Sequence, residues 1–186
     1  MRAALPRLPN LCEIFINIKL MKTIICLLIL ASASFGFVNF NRPKIKSGDF
    51  KRLTNGQRKG KLTYQDYRSN KKVSILSNLT VTESKEDKLS WIFEYGYPDE
   101  PRANKKSIVK ISSDGKIFDD ETVVERTKIP NETLKIVTKK NGMDNDKPAV
   151  FRHTCLLSKQ GFSIKKEVKY DGTNEFFERN EYSWNR

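Results

Sequence analysis

The sequence predicts an all-β domain, an antiparallel up-and-down meander that closes into a barrel of eight to nine strands. Three observations predict it. From Lys61 onward apolar and polar residues alternate with the period of two that marks strands with one buried face. Pairs rich in Gly, Asn and Asp punctuate that alternation at hairpin spacing. No segment after Lys61 keeps the i, i+3, i+4 spacing of an amphipathic helix for three turns, and Thr, Val, Ile and aromatics fill the periodic positions.

The strands are expected around 62–67, 73–81, 89–95, 108–111, 117–124, 134–137, 150–157, 162–170 and 176–184. The clearest is 89–95, where Leu89, Trp91, Phe93 and Tyr95 share one face and Ser90 and Glu94 the other. Turns are expected at Ser69-Asn70, Asp114-Gly115, Pro130-Asn131, Asn141-Gly142, Gln160-Gly161 and Asp171-Gly172. Short hairpins between consecutive strands favour a closed barrel, which alone removes exposed edges, over a two-sheet β-sandwich, whose crossovers need longer connections. The longest connection, residues 96–105 with Pro98 and Pro101, is expected to lie across one mouth.

The front of the chain reads differently. Met21-Lys22, the apolar run from Thr23 and the small residues Ala31 and Ala33 have the order of a signal peptide over 21–33, with cleavage near Ala33. The run is too short for a transmembrane helix of about 20 apolar residues. Residues 1–20 read as an upstream extension and 34–60 as a basic, aperiodic arm or linker, leaving 61–186 as the barrel domain. The protein is therefore expected to be secreted or periplasmic, with no transmembrane segment in the mature chain. Cleavage would remove Cys12 and Cys26 and leave Cys155 without an internal disulfide partner.

A chain of 186 residues holds one ordinary domain, which excludes two full catalytic domains. Three Cys and one His do not supply a zinc site, and no cofactor or metal is expected. Asp144-Asn145-Asp146 opens like a calcium loop, but Pro148 interrupts it and no Glu closes it, so it reads as a polar hairpin tip. The net charge of +13 is dispersed and interleaved with acids, as in Lys165-Lys166-Glu167. That pattern disfavours nucleic acid as partner and suits an anionic envelope surface. Asn78-Leu79-Thr80 and Asn131-Glu132-Thr133 match glycosylation sequons, which matter only in a eukaryotic secretory route.

Gly56-Gln57-Arg58 before the first strand, the hairpin meander, and a last strand bearing Phe177, Arg179 and Glu181 together resemble the plan of the lipocalin-like, or calycin, barrels. More narrowly, LTYQDYRSNKKVSI at 62–75, PAVFRHT at 148–154 and FFERNEYSWNR at 176–186 resemble uncharacterised secreted bacterial proteins with a lipocalin-like domain. The resemblance covers 53–186 and implies a barrel and no particular activity. Lipocalins open with Gly-x-Trp beneath an Arg of the last strand; here Arg58 stands at the Trp position, and an Arg58–Arg179 pair at the floor would be repulsive unless a carboxylate intervened.

His153 and Cys155 share a strand face, yet side chains at i and i+2 project in parallel and no orienting carboxylate stands beside them, so Cys155 reads as a small buried hydrophobe. Asp119-Asp120-Glu121 reads as a solvated strand segment in which one carboxylate is aimed inward. No catalytic set is assigned. The expected ligand-binding residues are Tyr64, Trp91, Phe93 and Tyr182 as an apolar wall, with Arg152 and Arg179 turned inward to fix an acidic head group. The expected function is an exported, non-catalytic binding protein for a small apolar or amphiphilic ligand. Two alternatives stay open: a packed barrel contacting anionic envelope components, and a hydrolase or isomerase using carboxylates in the barrel mouth.

Overall fold

The computed structural model describes residues 42–186 except Asn55 and Tyr67. The signal segment, the extension before it, the start of the arm and the Tyr67 end of the first expected strand lie outside the described residues. No helix among those described is long and apolar enough to cross a membrane.

Ten strands form one antiparallel sheet: β1 (Arg58–Asp66), β2 (Lys71–Glu83), β3 (Ser90–Gly96), β4 (Lys105–Lys110), β5 (Ile117–Phe118), β6 (Glu121–Ile129), β7 (Thr133–Asp144), β8 (Lys147–Leu157), β9 (Gly161–Tyr170) and β10 (Phe177–Asn185). Their order, β4-β3-β2-β1-β10-β9-β8-β7-β6-β5, is an up-and-down meander whose first and last strands pair. The all-β fold is thus a nearly closed barrel. Its remaining seam lies between β4 and β5, held by the single bridge Ile111–Phe118 and by flanking backbone bonds from Asp119 to Lys110 (2.9 Å) and from Ser112 to Ile117 (3.0 Å).

Two expected elements differ. The segment 117–124 is a hairpin rather than one strand, because Asp119 and Asp120 take positive φ (48° and 68°) and turn the chain between β5 and β6. That turn raises the strand count from eight to nine to ten. Asn141-Gly142 is not a turn; β7 runs through it, and the hairpin forms at Asn145-Asp146, with φ of 49° and 61°. Gly142 serves packing instead, since a Cβ there would stand 2.5 Å from the Phe151 ring that lies over it. The Ser69-Asn70, Pro130-Asn131 and Asp171-Gly172 turns form at residues with positive φ, Asn70, Asn131 and Gly172.

Part of the expected arm enters the core. Ile45, Phe50 and Leu53 are buried, and Phe50 stacks on Phe118 (4.9 Å) and tilts against Trp91 (5.4 Å). The Asp49 carboxylate accepts two bonds from the Arg126 guanidinium (2.6 and 2.8 Å), and the Ile45 amide donates to the Gly115 carbonyl (2.9 Å). These contacts pin residues 45–53 to both sides of the seam. Three apolar side chains spaced by five and three residues carry no strand or long-helix period, which is why composition made the segment look like a linker.

The inner face is layered by register. One ring consists of Leu134, Leu157, Phe162 and Trp184, then Gly60 and Ser77. Gly60 is the point of closest approach between β1 and β10, where a Cβ would overlap the Ser183 carbonyl. The next ring is Ile136, Cys155, Ile164, Tyr182 and Leu62. Leu134, Leu157, Phe162, Trp184, Ile136 and Cys155 belong to the main core, with Ile164 and Tyr182 packed against it. A second, smaller cluster of Ala149, Phe151 and Val168, with Tyr170 and Phe177 against it, lies further along β8–β10.

Candidate functional site

Between the two apolar clusters the inner face becomes polar. Thr138 pairs in register with His153, His153 with Lys166, Lys166 with Asn180, and Asn180 with Tyr64. Because residues directly opposite on adjacent strands share a face, four side chains from β7, β8, β9 and β10 form one belt on the inside of the barrel. On β9 and β8 the belt residue interrupts an otherwise apolar alternation: Phe162, Ile164, Lys166, Val168 on β9, and Phe151, His153, Cys155, Leu157 on β8.

The belt borders a cavity of about 330 Å³. Thr138, His153, Lys166 and Asn180 line it on one side; Phe93, Tyr95, Phe162, Ile164 and Tyr182 supply an aromatic and aliphatic wall. Cys155 borders it from β8, and the seam contributes the rest, with Lys105 and Val109 from β4 and Phe118, Asp119 and Glu121 from the β5–β6 hairpin. Tyr97, at the start of the long connection, is buried and shares a 2.8 Å hydroxyl contact with Tyr182. Burial, together with the neighbouring Tyr97, pushes the Tyr182 phenol well above its ordinary value, so it remains a neutral hydrogen-bonding group.

Glu121 organises the polar side. Its Oε2 accepts from Thr138 (2.5 Å) and lies 2.8 Å from His153 Nδ1, while Lys140 Nζ stands 3.6 Å from Oε1. Burial alone would raise this carboxyl; the His153, Thr138 and Lys140 contacts outweigh it and hold Glu121 below its ordinary value, hence ionised. With Nδ1 committed to Glu121, Nε2 is the ring nitrogen that no other described group engages. Asp119 has the opposite balance, raised by burial and by the adjacent Asp120.

Lys166 is half-buried, and burial pulls it below its ordinary value. Among the described residues no carboxylate stands within ion-pair distance of its ammonium, which lies 4.3 Å from the centre of the Phe151 ring. Cys155 is fully enclosed, and burial pushes its thiol up to about 12, which keeps it from acting as a thiolate nucleophile near neutrality. The carboxylate that orients His153 therefore exists, 32 residues earlier on β6, but it serves no Cys–His nucleophile.

Of the expected binding residues, Phe93 and Tyr182 line the cavity. Trp91 is buried against Phe50 instead. Tyr64 ends the belt beside a separate shallow depression that it shares with Leu62, Arg68 and Arg179. The inward assignment of Arg152 does not hold. Phe151, Cys155 and Leu157 take the inner face of β8, so alternation turns Arg152 outward, where its guanidinium grips the Glu167 carboxylate (2.8 and 2.9 Å) and covers Phe176 (4.0 Å). Arg179 sits in the β10 bulge between Glu178 and Asn180 and pairs with Asp144 (3.3 Å) at the β7–β8 tip.

Nor do two arginines meet at the floor. Arg58 starts β1, opposite the end of β10, whereas Arg179 lies near the far end of that pair. Arg58 donates to the Arg52 carbonyl (2.7 Å), and the neighbouring charge it feels is Arg186. Trp184 packs in the floor against Phe162 (5.6 Å) and Tyr182 (5.0 Å), away from Arg179.

Sequence reasoning did not bring Glu121, Thr138, His153, Lys166 and Asn180 together. The usable signal was the polar break in the alternation of β8 and of β9, and only the register shows that the breaks coincide. Compared with known proteins, the chain matches no protein-family model and no curated sequence. The barrel itself is compatible with a calycin-like fold.

Proposed function

We propose that this chain is an exported, non-catalytic binding protein of lipocalin-like type that holds a small apolar or amphiphilic molecule inside the barrel. The observation that carries the reading is the cavity of about 330 Å³, apolar and aromatic on one side and polar on the other. Such an apolar enclosure with a few convergent polar groups is the usual form of a small-molecule site, and this one lies at the small end of the usual range of about 300 to 1,000 Å³. Export rests on the signal-like segment 21–33. The test is native mass spectrometry of the purified protein. A bound small molecule released on denaturation supports the reading; repeated absence of one, with no chemical-shift change at Phe93, Ile164 or Tyr182 on adding hydrophobic probes, overturns it.

A second reading is favoured by one surface feature. Phe176 lies beneath Arg152 (4.0 Å), Lys139 (5.6 Å) and Lys169 (5.9 Å), a cationic patch on the outer wall that suits contact with anionic envelope components. Sedimentation with anionic vesicles that weakens steeply with salt, and is lost in K139E/K169E, would support it.

A further inference from the structure

We propose that the cavity selects small organic acids, an apolar body with one carboxylate, and that Lys166 in the polar belt pairs with that carboxylate. This rests on the reading of the barrel as a binding protein and names the ligand class.

The argument starts from charge placement. An ammonium withdrawn from water is costly unless a counter-charge or hydrogen-bond acceptors replace the lost hydration. On the outer wall the chain follows that rule, Arg152 and Lys165 reaching Glu167 and Lys135 reaching Glu125, and at the β7–β8 end of the barrel Arg179 reaches Asp144. Inside, Glu121 is already committed to His153, Thr138 and Lys140. Lys166 faces the cavity against the Phe151 ring, and among the described residues no carboxylate comes within ion-pair distance, Asp144 and Glu121 acting on it only from further away. A neighbour in register is suited to an anion's oxygens. Asn180 on β10 offers the two N–H donors of its amide.

The rest of the wall agrees with that polarity. Ile164 lies two residues before Lys166 on the same face, with Tyr182 opposite it, so an apolar body held there would leave its head group at Lys166. The cavity's acids stand at the seam, on the β5–β6 side, and Asp119 is biased toward its neutral form by burial. A cationic ligand would have to place its charge beside Lys166 or displace Lys140 from Glu121, which the arrangement disfavours.

The test uses the full chain and two matched probe series, octanoate, octanol and octylamine, and 2-naphthoate, 2-naphthol and 2-naphthylmethylamine, with binding measured by calorimetry at pH 7. In at least one series the acid is expected to bind about tenfold or more tighter than the alcohol, the scale of one charge-assisted hydrogen bond, and the amine weakest. Lys166→Met should bring acid and alcohol to within about twofold of each other, and Lys166→Arg should restore the preference. Exchanging a half-buried charge for Met of similar volume preserves packing, and thermal unfolding of the variant verifies it. Alcohol binding equal to acid, or amine binding tighter, overturns the carboxylate assignment and leaves the binding cavity standing. Binding by no member of either series overturns both. An acid preference that survives in Lys166→Met removes Lys166 from the site.

Discussion

The barrel has two junctions that differ in an instructive way. β1 and β10, at opposite ends of the described sequence, are zipped together over six paired positions from Lys59–Asn185 to Tyr64–Asn180. β4 and β5, neighbours in sequence, touch through one bridge. Closeness along the chain therefore does not decide where the cylinder closes. At the first junction Gly60 lets the strands approach, and Trp184 fills the space inside. At the second, the Asp119-Asp120 turn ends β5 after two residues, and residues 45–53 with Phe50 occupy what strand pairing leaves open. The incompletely paired seam is also where cavity residues Lys105, Asp119 and Glu121 stand. The tight junction supplies stability, and the loose one frames the site.

Substitutions at the two junctions sharpen this contrast. Gly60→Val should be the most damaging, because its Cβ meets the β10 backbone rather than a movable side chain; a loss of about 4 kcal/mol or more in urea unfolding is expected. A loss below about 1 kcal/mol would mean the β1–β10 approach is not tight. Phe50→Ala at the seam should cost about 3 kcal/mol, the scale of a buried aromatic truncated to Ala, and should speed amide exchange at Ser112 and Asp119 before the rest of the sheet. Uniform exchange would show that the plug does not hold the seam specifically. Asp49→Asn, which keeps the shape and removes the charge facing Arg126, should cost about 1 to 2 kcal/mol by the same measurement.

A smaller effect comes from pH. Glu121 is held below its ordinary value of 4.5, so its ionised form contributes stability that is present above that value and is lost as pH falls through the lower folded value. In Glu121→Gln the stability–pH curve should be flatter over that acidic limb, which thermal melts between pH 3 and about 6 would reveal. Smallest in energy is the behaviour of Cys155. With its thiol enclosed and pushed up to about 12, the peptide that contains it should be alkylated at pH 8 at least about a hundredfold more slowly in native protein than in urea. Equal rates would show that the wall beneath the belt opens readily.

Much of the barrel was legible because its determinants are local. Alternation in 89–95, 150–157 and 162–170 and the Asn- and Gly-bearing turns are each contained in a few residues. The Asp119-Asp120 turn was missed because aspartates tolerate positive φ without announcing it as glycine does. Lys166 was hidden for another reason. Inside Lys165-Lys166-Glu167 it looks like part of a solvated run, and only parity against Phe162, Ile164 and Val168 distinguishes it from its neighbours. The same parity, applied to Phe151, Cys155 and Leu157, sends Arg152 outward.

The sequence by itself determined the strands, most of the hairpins and the all-β class, since periodic burial and turn conformation are properties of neighbouring residues. Tertiary structure decided the register that aligns Thr138, His153, Lys166 and Asn180, the outward turn of Arg152, the pairing of Arg179 with Asp144, and the seating of Phe50 in the seam. Those outcomes depend on side chains that meet from strands distant in sequence, where the competition for a limited interior is settled by packing and by the cost of burying charge.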